Sequence, residues 1–278
     1  MKNLKHAVIL IAATVMLLSS CKKDDPKTDD NNNGGSKTCY TLNIKDSSSF
    51  DLKFSYANNL LSRLEQFYFN EPAGWELDAS LEFEYNSLKQ LTKFSNRQGS
   101  YKEIMELFYT NNRVGSFDGY DSSETGEKEY SYTVNYEYNS DGKISKWTAI
   151  DKSDPSTPFA QITLSYDANG GIKEIILFEP NMDGVMTPGA KYVLNNDNQK
   201  LVNPYFPSLL MEGEIFYLLF LQDNMKQPNK VTSYSFNEST EEWEIDSEIF
   251  IQNSYDTEGK LTKMVIEDET YNVIWDCK

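Results

Sequence analysis

From Thr38 onward one motif recurs: an alternating stretch ending in an aromatic residue, a polar turn, then an apolar residue opening the return stretch. Phe54-Ser55-Tyr56 runs through Asn58-Asn59 to Leu61, and Phe83-Glu84-Tyr85 through Asn86-Ser87 to Leu91. Leu107-Phe108-Tyr109 leads through Asn111-Asn112 to Val114, and Tyr136-Glu137-Tyr138 through Asp141-Gly142 to Ile144. Leu164-Ser165-Tyr166 follows the same course through Asn169-Gly170 to Ile172. Weaker copies begin at Tyr192-Val193-Leu194, with Asp197-Asn198, and at Tyr255, with Glu258-Gly259. Anchors 56, 85, 109, 138, 166 and 194 are spaced by 29, 24, 29, 28 and 28 residues. Such a period marks a repeat architecture with one supersecondary unit per repeat.

Within a unit, Tyr130, Tyr132, Val134, Tyr136 and Tyr138 alternate with Ser131, Thr133, Asn135 and Glu137. Alternation puts each set on its own face of a strand. Asp-Gly and Asn-Gly tolerate the positive φ that tight hairpin turns require. About eight two-strand units predict an all-β, antiparallel up-and-down meander of about sixteen strands, more than one open twisted sheet holds without curling. The expected fold is a closed or nearly closed flattened barrel over 38–278, with its aromatics filling the interior. Asn203 to Asn224 breaks the pattern, being densely apolar with no hairpin turn. Part of 207–221 is read as a short helical insert capping the sheet, with a pair of fully buried strands as the alternative.

The N-terminus reads as an export address. Lys2 and Lys5 precede an apolar run from Ala7 to Leu18, too short for a stable bilayer span. It ends in Leu18-Ser19-Ser20-Cys21, which resembles the lipobox of bacterial lipoproteins. The resemblance implies a signal peptide over 1–20 and lipidation at Cys21, which would hold the chain on a membrane almost permanently. Lys22, Lys23, Asp24 and Asp25 resemble the acidic export tag of Bacteroidetes surface lipoproteins, which implies an outer-membrane anchor facing the cell exterior. Pro26 to Lys37 has no apolar residue, so 21–37 is expected to be a flexible linker.

Charge narrows the partners. The chain carries 26 Lys+Arg against 43 Asp+Glu, and removal of 1–20 takes away two lysines and no acid, leaving −19. Nucleic acid is excluded as a partner, because its phosphates need a basic surface. The lone histidine, His6, lies in the signal segment, so Ser-His-Asp and Cys-His catalysis are not expected. No Gly-rich loop opens a helix after a strand, so no nucleotide cofactor is expected. Asp118, Asp121, Glu124 and Glu127 make an acidic stretch read as solvated, its spacing being wrong for an EF-hand calcium loop. A carboxylate-pair glycosidase needs no histidine, but 43 acids nominate no pair.

With Cys21 lipidated, Cys39 and Cys277 remain, one opening the first strand and the other ending the last. If an even number of strands closes, these ends lie side by side, within the Cα separation of about 5.5 Å that a disulfide needs. Export supplies an oxidising compartment; two free thiols are the alternative. Membrane barrels share the alternation. Here, however, the chain ends in Asp276-Cys277-Lys278, and tyrosine dominates the apolar face where lipid-facing positions favour Leu and Val.

Two further resemblances rest on the body of the chain. Tyr166-Asp167 to Gly170 and Tyr255-Asp256 to Leu261 resemble the YD repeats of secreted bacterial β-shell proteins. Residues 38–278, with Asn203-Pro204-Tyr205-Phe206 and Gln227 to Val231, are similar to a Bacteroidetes lipoprotein family of unknown function with a porin-like fold. That similarity implies a large antiparallel barrel and carries over no catalytic residue.

Of the four tryptophans, Trp147 and Trp275 sit in strand patterns, while Trp75 and Trp243 fall in the long outer loops. There Phe69-Asn70-Glu71 with Trp75-Glu76-Leu77-Asp78 matches Phe236-Asn237-Glu238 with Trp243-Glu244-Ile245-Asp246. Exposed indoles would offer stacking platforms to sugar rings; plugs at the ends of the core are the alternative. The sequence therefore points to a lipid-anchored, non-enzymatic binding protein for a glycan or host polymer. The competing expectation is a scaffolding component of an outer-membrane assembly, with a porin-type channel behind it.

Overall fold

The computed structural model describes residues 39–46, 50–99, 101–122, 128–200, 226–266 and 268–277. The signal peptide, Cys21, Lys22, Lys23, Asp24, Asp25, the linker, and the segment 207–221 read as helical lie outside the described residues.

Sixteen strands follow in chain order: β1 (Cys39–Lys45), β2 (Phe50–Ala57), β3 (Leu60–Asn70), β4 (Gly74–Tyr85), β5 (Leu91–Gln98) and β6 (Tyr101–Thr110). Then come β7 (Arg113–Ser122), β8 (Lys128–Tyr138), β9 (Ile144–Asp151), β10 (Pro158–Tyr166) and β11 (Ile172–Pro180). The last five are β12 (Met186–Lys200), β13 (Lys226–Asn237), β14 (Glu242–Tyr255), β15 (Leu261–Ile266) and β16 (Glu269–Cys277). Each pairs antiparallel with its sequence neighbours, and β1 pairs with β16, so the sheet is a closed barrel. The closing ladder sets Cys39 opposite Cys277. Closure leaves no unpaired edge to template aggregation.

The repeated tyrosines mark one end of this barrel. Tyr56, Tyr85, Tyr109, Tyr138, Tyr166 and Tyr255 each follow a register shift and face Leu61, Leu91, Val114, Ile144, Ile172 and Leu261. A bulge of this kind interrupts the ladder and leaves backbone groups in need of partners. The next repeat provides them. Tyr109 Oη donates to the Leu91 carbonyl at 2.9 Å, Tyr138 Oη to that of Val114 at 2.7 Å, and Tyr166 Oη to that of Ile144 at 2.6 Å. Where the tyrosine pattern decays, Asn196 Nδ2 serves the Ile172 carbonyl at 2.9 Å and Trp275 Nε1 that of Leu261 at 2.8 Å.

Two turn chemistries reverse the chain at this end. Asn58-Asn59 and Asn111-Asn112 hold positive φ at both central residues, as tight hairpin turns require. Asn86, Asn139, Asp167 and Asp256 instead use a side-chain oxygen to accept two backbone N–H groups, from residues two and four positions on. These short polar side chains thereby imitate a backbone turn.

Alternation then fills the barrel. Leu52, Leu61, Leu64, Val134, Ile144, Ile175, Leu261 and Met264 are wholly inaccessible and belong to one continuous core. Gly119 is required there: a Cβ on it would stand 2.1 Å from Tyr132 Cζ, whose ring packs edge-on against Phe117. The outer wall is charged, with Lys93–Glu84 at 2.9 Å and Lys146–Glu137 at 3.1 Å across neighbouring strands. Such exposed pairs contribute little to stability, but they give the wall a polar exterior.

Candidate functional site

The end opposite the tyrosine bulges carries the chemistry that varies between repeats. On β4, Ala79, Leu81 and Phe83 are buried, so Trp75 and Leu77, at the same parity, should face inward too. They do not. A register shift between Gln66 and Phe67 pairs Gln66 with Ala79 and Phe67 with Leu77, leaving Asp78 as an extra residue. Inserting one residue sends the following side chains to the other face. Trp75 is 50% exposed and Leu77 49%.

The hairpin β13–β14 repeats the device. The shift between Ser233 and Tyr234 pairs Ser233 with Ser247 and Tyr234 with Ile245, leaving Asp246 as the extra residue. Beyond it, Phe236 faces Trp243 as Phe69 faces Trp75. The rings meet edge-on, Phe69–Trp75 at 5.6 Å and Phe236–Trp243 at 5.1 Å. In each hairpin the preceding strand adds a cation: Lys53 Nζ lies 4.3 Å from the Phe67 ring, and Lys191 Nζ 4.3 Å from Tyr234 and 4.6 Å from Trp243. On the opposite face of each hairpin an amide meets a carboxylate, Asn70 Nδ2 donating to Glu76 at 3.3 Å and Asn237 Nδ2 to Glu244 at 2.6 Å. Each hairpin thus presents an aromatic clamp on the outer wall, with a lysine of the preceding strand on the same face.

The expected site residues divide accordingly. Trp75 and Trp243 occupy strands rather than loops, each second in its strand. Trp147 is a core residue, 2% exposed, and Trp275 is consumed by the Leu261 carbonyl. The interior does not take all the aromatics, because Phe69, Trp75, Phe108 and Phe250 are exposed outside. Asp118 accepts from Thr133 at 2.8 Å and pairs with Lys152 at 2.5 Å, while Asp121 accepts from Tyr101 Oη at 2.7 Å. Glu124 and Glu127 lie outside the described residues, among which no three Asp, Glu, Cys or His side chains are grouped to hold a metal ion. Cys277 is disulfide-bonded and stands opposite Cys39 in the ladder. Lys53 and Lys191 went unforeseen in the sequence, since each reaches an outward ring of the following hairpin from a neighbouring strand.

These features define a closed sixteen-stranded antiparallel barrel with an apolar interior and two outward aromatic clamps. No protein-family model matches the chain, and no curated protein matches it in sequence. Solved structures do share the fold. A porin-like protein from Bacteroides vulgatus aligns over 86% of this chain and 99% of its own, with TM-score 0.53 and 11% identity. A porin-like protein from Bacteroides uniformis aligns over 86% and 96%, with TM-score 0.50 and 10% identity. At such identities the likeness is one of fold.

Proposed function

We propose that this chain is a bacterial lipoprotein, anchored through Cys21 to the outer membrane, displayed outward by the Lys22-Lys23-Asp24-Asp25 tag, and built to bind glycan without catalysis. The observation that carries the proposal is the duplicated clamp. Two hairpins far apart in the chain use the same one-residue bulge to turn Trp75 and Trp243 out of the core, each hairpin with a lysine of the preceding strand on the same face. Outward-facing ring pairs suit the apolar faces of sugars, and the neighbouring lysines suit their hydroxyls.

Topology supports an outward orientation. The tether precedes Cys39, at the end where β16 finishes and the tyrosine bulges lie, whereas both clamps lie at the opposite end. A linker at the first end would leave the clamps farthest from the membrane. The Bacteroidetes affiliation and the YD-like hairpins belong to the same proposal and draw support from the fold shared with two Bacteroides proteins. A transmembrane channel finds less support, because lipid-facing walls tolerate charge poorly and porins keep a polar lumen. This barrel has the reverse polarity.

A glycan array on the full chain tests the proposal. Binding should be lost in Trp75→Ala/Trp243→Ala, and retention of binding in that double variant would reject the clamps. The scaffolding alternative rests on Ile245 and Phe250, 63% and 59% exposed on the same strand. It predicts co-purification with an outer-membrane complex, lost in Phe250→Glu, and no sugar binding.

A further inference from the structure

Closure abolishes a sheet edge only where every strand keeps two neighbours along its length, and β14 outruns one of its own. On one side β14 ladders with β13 from Glu242, opposite Asn237, to Phe250, opposite Lys230. On the other side it meets β15 only from Ile251 to Tyr255, because β15 is 6 residues long and ends at Ile266, opposite Ile251. Among the described residues nothing pairs with that second edge over 242–250. An antiparallel strand turns its N–H and C=O groups alternately to one neighbour and the other. Residues 242–250 therefore hold out a row of unpaired donors and acceptors, the condition of an open sheet edge. The β3–β4 hairpin outruns β5 by a shorter stretch, 74–78.

The side chains along this edge specify what it accepts. Ile245 and Phe250 stand on the outer wall, 63% and 59% exposed. Glu242, Glu244, Asp246 and Glu248 share the stretch with no lysine or arginine. Glu248 pairs with Lys230 at 2.6 Å and Glu244 accepts from Asn237, whereas Glu242 and Asp246 have no hydrogen bond or ion pair among the described residues. A second copy is a poor occupant, because pairing this edge with itself would set carboxylates beside carboxylates. A strand bearing lysine or arginine supplies the opposite charge and keeps the backbone ladder.

We propose that residues 242–250 of β14 are a docking edge for an extended cationic segment of another protein, which adds to the sheet as a further strand. Its backbone takes up the groups that β15 leaves unpaired, as in other cases of strand addition. Its apolar side chains lie beside Ile245 and Phe250, and its lysines or arginines meet Glu242, Glu244 and Asp246. The inference does not rest on the glycan reading, since the edge binds through its backbone and the clamps bind through their rings.

Fluorescence anisotropy of labelled peptides with the full chain tests it. A capped peptide of alternating Lys and Val, about eight residues long to match a strand, should bind saturably, and its Glu-Val counterpart should not. N-methylation at every Val, or at every Lys, removes the donors of one peptide edge and keeps the charge. One of these two peptides should bind about tenfold more weakly than the parent. Glu242→Gln/Asp246→Asn, at two exposed positions, should weaken the Lys-Val peptide about tenfold. The amides of 242–250 that point away from β13 should exchange rapidly in the free chain and slowly with peptide. No saturable binding, parent affinity in both N-methylated peptides, an unchanged affinity in Glu242→Gln/Asp246→Asn, or amides that peptide does not slow would overturn the proposal. Slow exchange before peptide is added would overturn it too, a dimer assigning the edge to a second copy and a monomer to this chain itself. Sugar binding enters none of these readouts, so either reading can fail alone.

Discussion

The two ends of the barrel use one repeat for different purposes. At the tether end the pattern recurs in hairpin after hairpin, and what recurs is mutual support. A bulge frees a carbonyl, and the tyrosine of the next unit takes it up. At the far end neighbouring hairpins share little, and large apolar side chains stand in solvent, Trp75, Leu77 and Ile245 among them. The contrast separates structural work from recognition. Bulge carbonyls at the first end are met by the next repeat, while at the second end rings are turned outward.

The largest difference between the ends should appear on breaking the closing ladder. Cys277→Ser should cost about 2–5 kcal/mol by denaturant titration, in the range for loss of a native disulfide. Cys39→Ser should do the same, and peptide mapping of untreated protein should recover Cys39 and Cys277 in one linked species. Free thiols at both positions would remove this asymmetry. Tyr138→Phe comes next, since it strips the Val114 carbonyl of its donor and should cost about 1–3 kcal/mol. The matched change at the other end, Tyr101→Phe, should cost less than half as much, because Tyr101 is 46% exposed and water can replace the bond. Equal losses would mean that the two ends are not built differently.

Alkaline titration sharpens the same contrast at smaller amplitude. Burial, the leading cause, raises Tyr109 and Tyr138 from 10.0 to about 12, with Arg113 partly opposing it at Tyr138. Folding therefore favours the protonated phenols. Their contribution is whole below pH 10.0 and fades as pH rises through about 12. Tyrosinate absorbance should show these groups ionising together with unfolding, and ionisation near pH 10.0 in folded protein would contradict the buried ladder. The smallest effect on stability is expected for Trp75→Ala, about 1 kcal/mol or less by thermal melting, because its ring is half exposed and held chiefly by Phe69.

Much of the architecture was legible before any coordinates. The strand count, the antiparallel order and the turns at Asn58-Asn59 and Asp141-Gly142 follow from short-range rules: period-two alternation, and residues able to take positive φ. The clamps were half legible. Their repeated sequence singled out Trp75 and Trp243, but simple alternation gives Trp75, Leu77, Ala79, Leu81 and Phe83 a single face. Only the bulge at Asp78 splits that row between core and exterior, and Asp246 does the same for Trp243 and Ile245.

The sequence by itself determined the hairpins and the tyrosine periodicity, because those depend on residues a few positions apart. The tertiary structure decided what faces where and what meets. Closure alone brings β16 against β1 and places Glu269 near Asp46, Phe50 and Tyr68, residues separated by most of the chain. A bulge is a property of two paired strands rather than of one. No local pattern can therefore say on which side of the wall a side chain beyond it will stand.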